Sequence, residues 1–321
     1  MSFISKLTPI NLEEEKEKFF KLNFNYNPQF SYSQSIEPRQ LAKYGKPDPK
    51  LVKLAEKIVK TAYQDKNHQE LKKLEGEILA QKQILDLVEK FLKLHQLDRR
   101  YKVMIDPTII PRATVTSHLV KLKPNISFSR EGLLSLLYHE IGTHILRRVN
   151  YEKQPWYKKR KKYGLTHPYL VTEEGLAVLH GLLPRSNKLV YRSALKYLAV
   201  AKANQLSFKT LFAWVNQYLQ KPSHAWSFSL RIKRGLKDTS QPGGFTKDLV
   251  YFGGFVKVWR WLKEHDFKVD DLYCGKLAVE DVKTAKKLNP KYQPILPSFY
   301  LADKEQYREQ MVEIGRANFL N

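Results

Sequence analysis

Apolar residues recur at helical spacing through most of this chain. Residues 50–97 read as two amphipathic helices, one presenting Leu51, Leu54, Ile58, Val59 and Ala62, the other Leu71, Leu74, Ile78, Ile84, Val88, Phe91 and Leu92. Short alternating runs at 101–107 and 112–128, interrupted by Pro107, Pro111 and Pro124, predict strands. Helical periodicity resumes at positions 133, 134, 137, 138, 141 and 145, the stripe of a half-buried helix. A second helix is expected to follow over 169–180, with Thr172 as its cap and Glu173 and Glu174 in its first turn. Further helices are expected at 189–206, 208–219, 246–265, 276–287 and 303–317, the last two separated by Pro290, Pro294 and Pro297. The first 37 residues lack a period but are too aromatic around Asn27 to Tyr32 to be a free tail, and are expected to lie across the body. With no repeat and no low-complexity linker, the chain reads as a single catalytic domain over 1–321: an irregular segment 1–37, a helical part 38–100, a core 101–265 and a helical tail 266–321. The fold class expected is α+β, mostly helical, with a small antiparallel or mixed sheet.

Composition narrows the class. The 321 residues are 42% hydrophobic, enough to fill one large core, and no apolar run approaches the length of a membrane span or resembles a signal peptide. The single cysteine, Cys274, excludes an intrachain disulfide and a thiolate metal cluster, and a cytoplasmic protein is expected. Charge is lopsided: 56 basic against 32 acidic residues give a formal charge of +24. Such a field attracts polyanions. It is densest in Lys158-Lys159-Arg160-Lys161-Lys162. An acidic peptide tail, a general lysine bias of the surface, and nucleic acid are the three readings of this run; the absence of any nucleic-acid-binding motif disfavours the last.

The chemistry centres on His139-Glu140-Ile141-Gly142-Thr143-His144. Two imidazoles with a carboxylate between them, followed by Glu173-Glu174, outline a catalytic zinc site with an open position for water. The common motif spaces its histidines at i and i+4; here they stand at i and i+5, about 140° apart on a regular helix, so the helix must absorb one extra residue as a π-bulge, which Gly142 and Thr143 permit. Helix-dipole preference alone explains one first-turn glutamate. The second needs a compensating charge where the helix turns into the core. Glu174 is preferred to Glu173 as the third ligand, leaving Glu173 to orient a histidine. A small sheet feeding such a helix is the arrangement of zincin-like peptidases.

These blocks, with Arg231 to Asp248 and the following Tyr251 and Gly254, resemble the microtubule-associated tyrosine carboxypeptidase family and its bacterial relatives, which are labelled by a Gln-Glu-Gly-Leu-Ala motif. Here that motif reads Glu173-Glu174-Gly175-Leu176-Ala177, a departure at 173 that keeps the ligand carboxylate. The resemblance implies a zinc carboxypeptidase with one Zn2+ per chain on His139, His144 and Glu174, and Glu140 as catalytic base. It implies an aromatic C-terminal residue, tyrosine foremost, as the one removed. Tubulin enters as a partner through the resemblance alone.

Terminal-carboxylate recognition calls for arginine, whose planar guanidinium pairs with a carboxylate through two hydrogen bonds. Arg231 and Arg234 are the candidates and Lys233 the weaker one, the alternative being an exposed basic strand face over 229–234. Tyr251 is a candidate oxyanion donor, against a plain packing role in its helix; His180 and His224 are further possible donors, each read first as a satisfied structural histidine. Two other functions stay open: a nonenzymatic regulator binding peptide or nucleic acid, for which Glu140 has no use, and an aminopeptidase or dipeptidyl peptidase, which wants an acidic rather than a basic anchor.

Overall fold

In this computed structural model the described residues are 3–64, 66, 70–71, 76–107, 109 and 113–320; Leu74, Pro111 and Arg112, given above to a helix face and a strand boundary, lie outside them. The longer helices are, in chain order, α1 (Leu12–Lys21), α2 (Pro49–Tyr63), α3 (Gln81–Leu94), α4 (Arg130–His139), α5 (Leu146–Glu152), α6 (Leu170–Leu182), α7 (Tyr191–Ala203), α8 (Phe208–Leu219), α9 (Pro222–Lys233), α10 (Leu249–Glu264), α11 (Val282–Leu288) and α12 (Lys304–Ala317). Among the described residues five short strands accompany them: β1 (Ile78–Leu79), β2 (Lys102–Ile105), β3 (Ala113–Val115), β4 (Leu119–Leu122) and β5 (Phe128–Ser129). The chain is therefore α+β and mostly helical, as its patterning predicts. No helix among the described residues is long and apolar enough to cross a membrane.

Two compact units divide the chain, each assembled from two segments. The first comprises residues 1–72 and 190–253. Here α2 opens with Pro49 behind Asp48, whose carboxylate accepts from the Lys50 N–H at 2.7 Å, a capped start that spends no helical donor on proline. Its buried face, Ala55, Ile58, Val59 and Ala62, matches the apolar stripe in the sequence. Around Phe19 of α1 gather Phe208 at 5.3 Å, Phe212 at 4.9 Å and Trp226 at 5.0 Å between ring centroids, an aromatic core joining α1, α8 and α9. The aromatic N-terminal stretch is tied down rather than free: the Phe30 N–H donates to the Lys237 carbonyl at 2.7 Å and the Thr239 hydroxyl to the Pro28 carbonyl at 2.8 Å. Residues 229–233 belong to α9, so the exposed-strand reading of that stretch is replaced by a helix begun at Pro222.

Residues 73–189 and 254–321 make the second unit. Its three-stranded sheet has the order β2-β4-β3, with β2 parallel and β3 antiparallel to β4, a mixed sheet; β1 pairs with β5 separately. Ile78, assigned above to a helix face, lies in β1 opposite Ser129, because the helix begins only where the Gln83 side chain accepts the Ala80 N–H at 2.7 Å. From β5 the chain enters α4 under the Ser129 cap, whose hydroxyl accepts from the Gly132 N–H at 3.1 Å. α6 packs on α4, pinned by the Ser135 hydroxyl donating to the Gly181 carbonyl at 2.6 Å. On its other side α6 meets the later part of α10 with glycine against glycine: a Cβ on Gly175 would sit 2.2 Å from the Gly254 carbonyl carbon. Thr172 does not cap α6, which starts two residues earlier; its hydroxyl instead accepts the Val279 N–H at 3.1 Å.

Candidate metal centre

The i, i+5 spacing is absorbed by a π-turn, Glu140–Ile145, inserted between α4 and α5. Widening one turn brings His139 and His144 to the same side, their ring centroids 4.9 Å apart and their planes at 80°. Gly142 sits at the tightest point, where a Cβ would lie 2.6 Å from the Phe299 ring. Glu174, on α6, faces both imidazoles: its Oε2 is 3.6 Å from His144 Nε2 and 3.9 Å from His139 Nε2. Ligand atoms of these three side chains all lie within 4.8 Å of one another. Donors around a tetrahedral zinc at its usual bond lengths stand about 3.3 Å apart, so small side-chain adjustments make this set fit such an ion. Glu140 stands alongside, Oε1 4.0 Å from His139 Nε2, and is not one of the three.

Electrostatics of the site agree with a cation. Burial acts to lower His144, but hydrogen bonds and charge from Glu173 and Glu174 outweigh it and raise the imidazole to about 10: the carboxylates call for positive charge at this point. His139 is lowered, by burial first and then by His144. The neutral imidazole is the form that ligates metal.

Behind His144 lies a buried charged network. Glu173, 2% exposed, accepts from His144 Nδ1 at 3.0 Å, from Arg147 at 2.5 Å and from Lys276 at 3.2 Å. With Nδ1 donating to Glu173, the Nε2 proton on the Glu174 side is the one a metal would displace. Arg147 is fully buried and completes its fork on the Leu272 carbonyl at 2.8 Å and the Leu277 carbonyl at 2.9 Å. Burial would raise the Glu173 carboxyl, yet Arg147, Lys276 and His144 hold it well below the usual range. Sequence reading missed Arg147 and Lys276. Arg147 follows His144 by three, so helical spacing was an available signal; Lys276 lies in a segment without period.

His180 is structural, as expected. Fully buried, it bonds the Thr143 hydroxyl through Nδ1 at 2.8 Å and the Tyr307 hydroxyl through Nε2 at 3.0 Å. Burial, then Arg147 and His139, lower it to about 3, so it stays neutral.

The basic run is anchored on the same unit. Arg160 donates to Asp281 at 3.0 Å and lies 4.9 Å over the Tyr169 ring, which also carries Lys276 at 5.8 Å. Lys158, Lys159, Lys161 and Lys162 are exposed.

The remaining candidates, Arg231, Lys233, Arg234 and Tyr251, belong to the first unit. Arg231 grips Asp248 with contacts of 2.6 and 2.7 Å and lies 5.8 Å over the Tyr251 ring, with the Lys196 ammonium 5.7 Å from the same ring. Burial opposes ionisation of Asp248, but Arg231 dominates and holds its carboxyl low. Arg234 stacks 5.0 Å over Phe245, and its Nε is buried with no hydrogen-bond partner among the described residues. Lys233 has zero exposure and gives its ammonium to the carbonyls of Ala203, Leu206 and Gln241, at 3.4, 2.5 and 2.8 Å, which makes it a clamp between the end of α7 and the segment around Gln241.

Comparison with known proteins then places the chain. The family model described as microtubule-associated tyrosine carboxypeptidase matches residues 33–311. The microtubule-associated tyrosine carboxypeptidase 1 of Mus musculus is 34% identical over 322 residues, covering 98% of this chain and 68% of its own length. Its Homo sapiens counterpart is 33% identical over the same shares. A further Mus musculus protein, provisionally named a tyrosine carboxypeptidase, is 35% identical over 329 residues, covering all of this chain and 62% of itself. The chain thus spans about two thirds of the length of the curated relatives it matches.

Proposed function

The chain belongs to the microtubule-associated tyrosine carboxypeptidase family, and from that membership we propose that it is a zinc-dependent metallocarboxypeptidase removing a C-terminal residue, tyrosine foremost, from a peptide or protein tail. The observation that carries the proposal is the convergence of His139, His144 and Glu174 within 4.8 Å, with Glu140 beside them. His139, His144 and Glu174 would hold the ion, one per chain. When bound, zinc supplies Lewis acidity toward a scissile carbonyl and an attacking water. Glu140, free of the ligand set, takes the proton of that water and returns it to the departing amine, the general-base and general-acid roles of one carboxylate. Glu173 fixes the tautomer and orientation of His144.

For the substrate's terminal carboxylate we assign Arg231 and Arg234, supported by the Nε of Arg234, which has no hydrogen-bond partner among the described residues and which an anion would satisfy. Lys233, the weaker candidate, has its ammonium committed to three carbonyls. Tyr251 is assigned the oxyanion donor. An acidic tail is the favoured substrate class, supported by the exposed lysines of 158–162 and by Arg160 and Lys276 sharing the Tyr169 face, with Lys276 in turn on Glu173. The names of the relatives point to microtubules, so a tubulin tail is the protein partner to test first.

The test is mass spectrometry of a peptide library with acidic tails and varied final residues, incubated with the zinc-loaded protein. Loss of one C-terminal residue by wild type, reduced by two to four orders of magnitude in Glu140→Gln with zinc still bound, is the expected result, since removing a general base costs roughly that much. Release from the N-terminal end would replace the carboxypeptidase reading with an aminopeptidase one. Equal turnover by both proteins would remove Glu140 from the mechanism.

A further inference from the structure

A π-turn carries a cost that a regular helix does not. Where the ladder slips from i−4 to i−5, one carbonyl is passed over by its usual donor. The structure identifies that carbonyl. The Leu146 N–H, which a regular helix would give to Gly142, goes to Ile141 and Thr143 instead. The Gly142 carbonyl is taken by a side chain 131 residues away: the Tyr273 hydroxyl donates to it at 2.5 Å.

Tyr273 has little choice of acceptor. The Thr143 hydroxyl donates to the Tyr138 carbonyl at 2.8 Å, so its lone pair accepts from His180 Nδ1 at 2.8 Å. His180 Nδ1 therefore carries the proton, and Nε2 accepts from the Tyr307 hydroxyl. The Tyr273 oxygen, 3.4 Å from that protonated Nδ1, can receive there and must donate elsewhere. It donates to the Gly142 carbonyl. The phenol is fixed in turn: it ends a short turn, Asp270–Tyr273, whose Leu272 carbonyl is held by Arg147 Nε. Tyr273 has zero exposure, so no water stands in for the hydroxyl when it is removed.

We propose that Tyr273 is a positioning residue for the metal site: by supplying the donor that the slipped ladder withholds from Gly142, it holds the π-turn that brings His139 and His144 to one side. This rests on the reading of His139, His144 and Glu174 as ligands. Without the phenol, the Gly142 carbonyl loses its side-chain donor in a buried place, and the turn favours a return to i−4 pairing, in which the two imidazoles stand about 140° apart.

Zinc affinity of Tyr273→Phe, measured by competition with a chromophoric chelator, tests the proposal, with thermal unfolding of the metal-free protein followed in parallel. Tyr307→Phe is the matched control: it loses one buried hydroxyl from the same neighbourhood, and that hydroxyl bonds His180 rather than the turn. Tyr273→Phe is expected to weaken zinc binding about 10- to 100-fold, the usual effect of removing a support for a ligand. The visible absorption spectrum of the cobalt-substituted protein is expected to change with it. Tyr307→Phe should lower the unfolding temperature yet keep wild-type affinity and the wild-type cobalt spectrum. Replacing Tyr273 by 4-aminophenylalanine, which restores a donor, should recover both; if the phenylalanine variant fails to fold, this replacement decides alone. Unchanged affinity and spectrum in Tyr273→Phe, or an equal loss in Tyr307→Phe, would overturn the proposal. A wild-type protein that takes up no stoichiometric zinc would instead overturn the ligand reading on which it stands.

Discussion

Glu173→Gln removes one charge from a buried network and changes almost no volume. Its carboxylate faces Arg147, fully buried, and Lys276, and accepts from His144 as well. Breaking a buried ion pair by neutralising one partner costs about 3–5 kcal/mol, because the other charge is left uncompensated. Arg147 keeps two carbonyl acceptors and the glutamine oxygen can still accept one bond, which puts the expected loss near the lower end, about 3 kcal/mol. Metal affinity should fall roughly 10- to 100-fold, as the amide orients His144 less firmly than a carboxylate does. The assay is urea unfolding of metal-free wild type and variant, with zinc affinity measured alongside. The pH dependence follows from the sign of the shift. Glu173 is held below its ordinary value of 4.5, so its contribution is complete above that value and is lost as pH falls through the lower folded-state value. The gap between the two proteins should therefore close in acid, and because the same carboxylate raises His144 from 6.5 to about 10, it should also narrow as pH rises across that window. Pairing the change with Arg147→Met should cost less than the two single changes added together. A loss below about 1 kcal/mol with unaltered zinc affinity would refute the reasoning, since it would mean that the carboxylate neither balances Arg147 nor supports His144.

Gly175→Ala sets a methyl against the Gly254 backbone, which cannot swing aside as a side chain would; a loss of about 3 kcal/mol is expected, read as a drop of roughly 6–12 °C in unfolding temperature, and an unchanged melt would deny the close crossing. Lys233 is pulled down by burial to about 8 from 10.5, so the unfolded chain binds more protons between those values and wild-type stability should rise across that window, by at most about 3 kcal/mol. In Lys233→Met that rise should vanish while three carbonyls lose their donor. Denaturant titrations of both proteins from neutral pH to about 10.5 check this, and a parallel rise in the variant would assign the effect to other groups.

What could be read from the sequence was whatever a period or a spacing records. The six-residue histidine motif forced an extra residue into its helix, and the π-turn stands where that arithmetic put it. The amphipathic stripe of α2 and the aromatic N-terminal stretch also translated directly into burial. Two-residue strands have no period, so β1 was absorbed into a helix face at Ile78. Thr172 looked like a cap because threonine before glutamates usually is one; a loop donor at Val279, more than a hundred residues on, claimed its hydroxyl. Tyr273, Lys276 and the carbonyls that hold Arg147 come from a stretch where only tertiary structure brings them to the site. At 229–234, alternating charge suggested a strand, whereas Pro222 at the start of α9 and the burial of Ile232 and Lys233 serve a helix.

The interleaving of the two units has a consequence for biosynthesis. Each draws on two stretches of chain, and the first is not complete until residue 253 has been made, the second not until the C-terminal helix α12. On a ribosome adding about 5–20 residues per second, the segment bearing both histidines waits roughly 6–26 seconds for Tyr273 and Lys276, with Arg147 and the Gly142 carbonyl lacking their later partners meanwhile. Neither unit can be excised as a contiguous fragment. Until the later segments are made, the earlier ones are exposed, and that interval is when they most need shelter from aggregation.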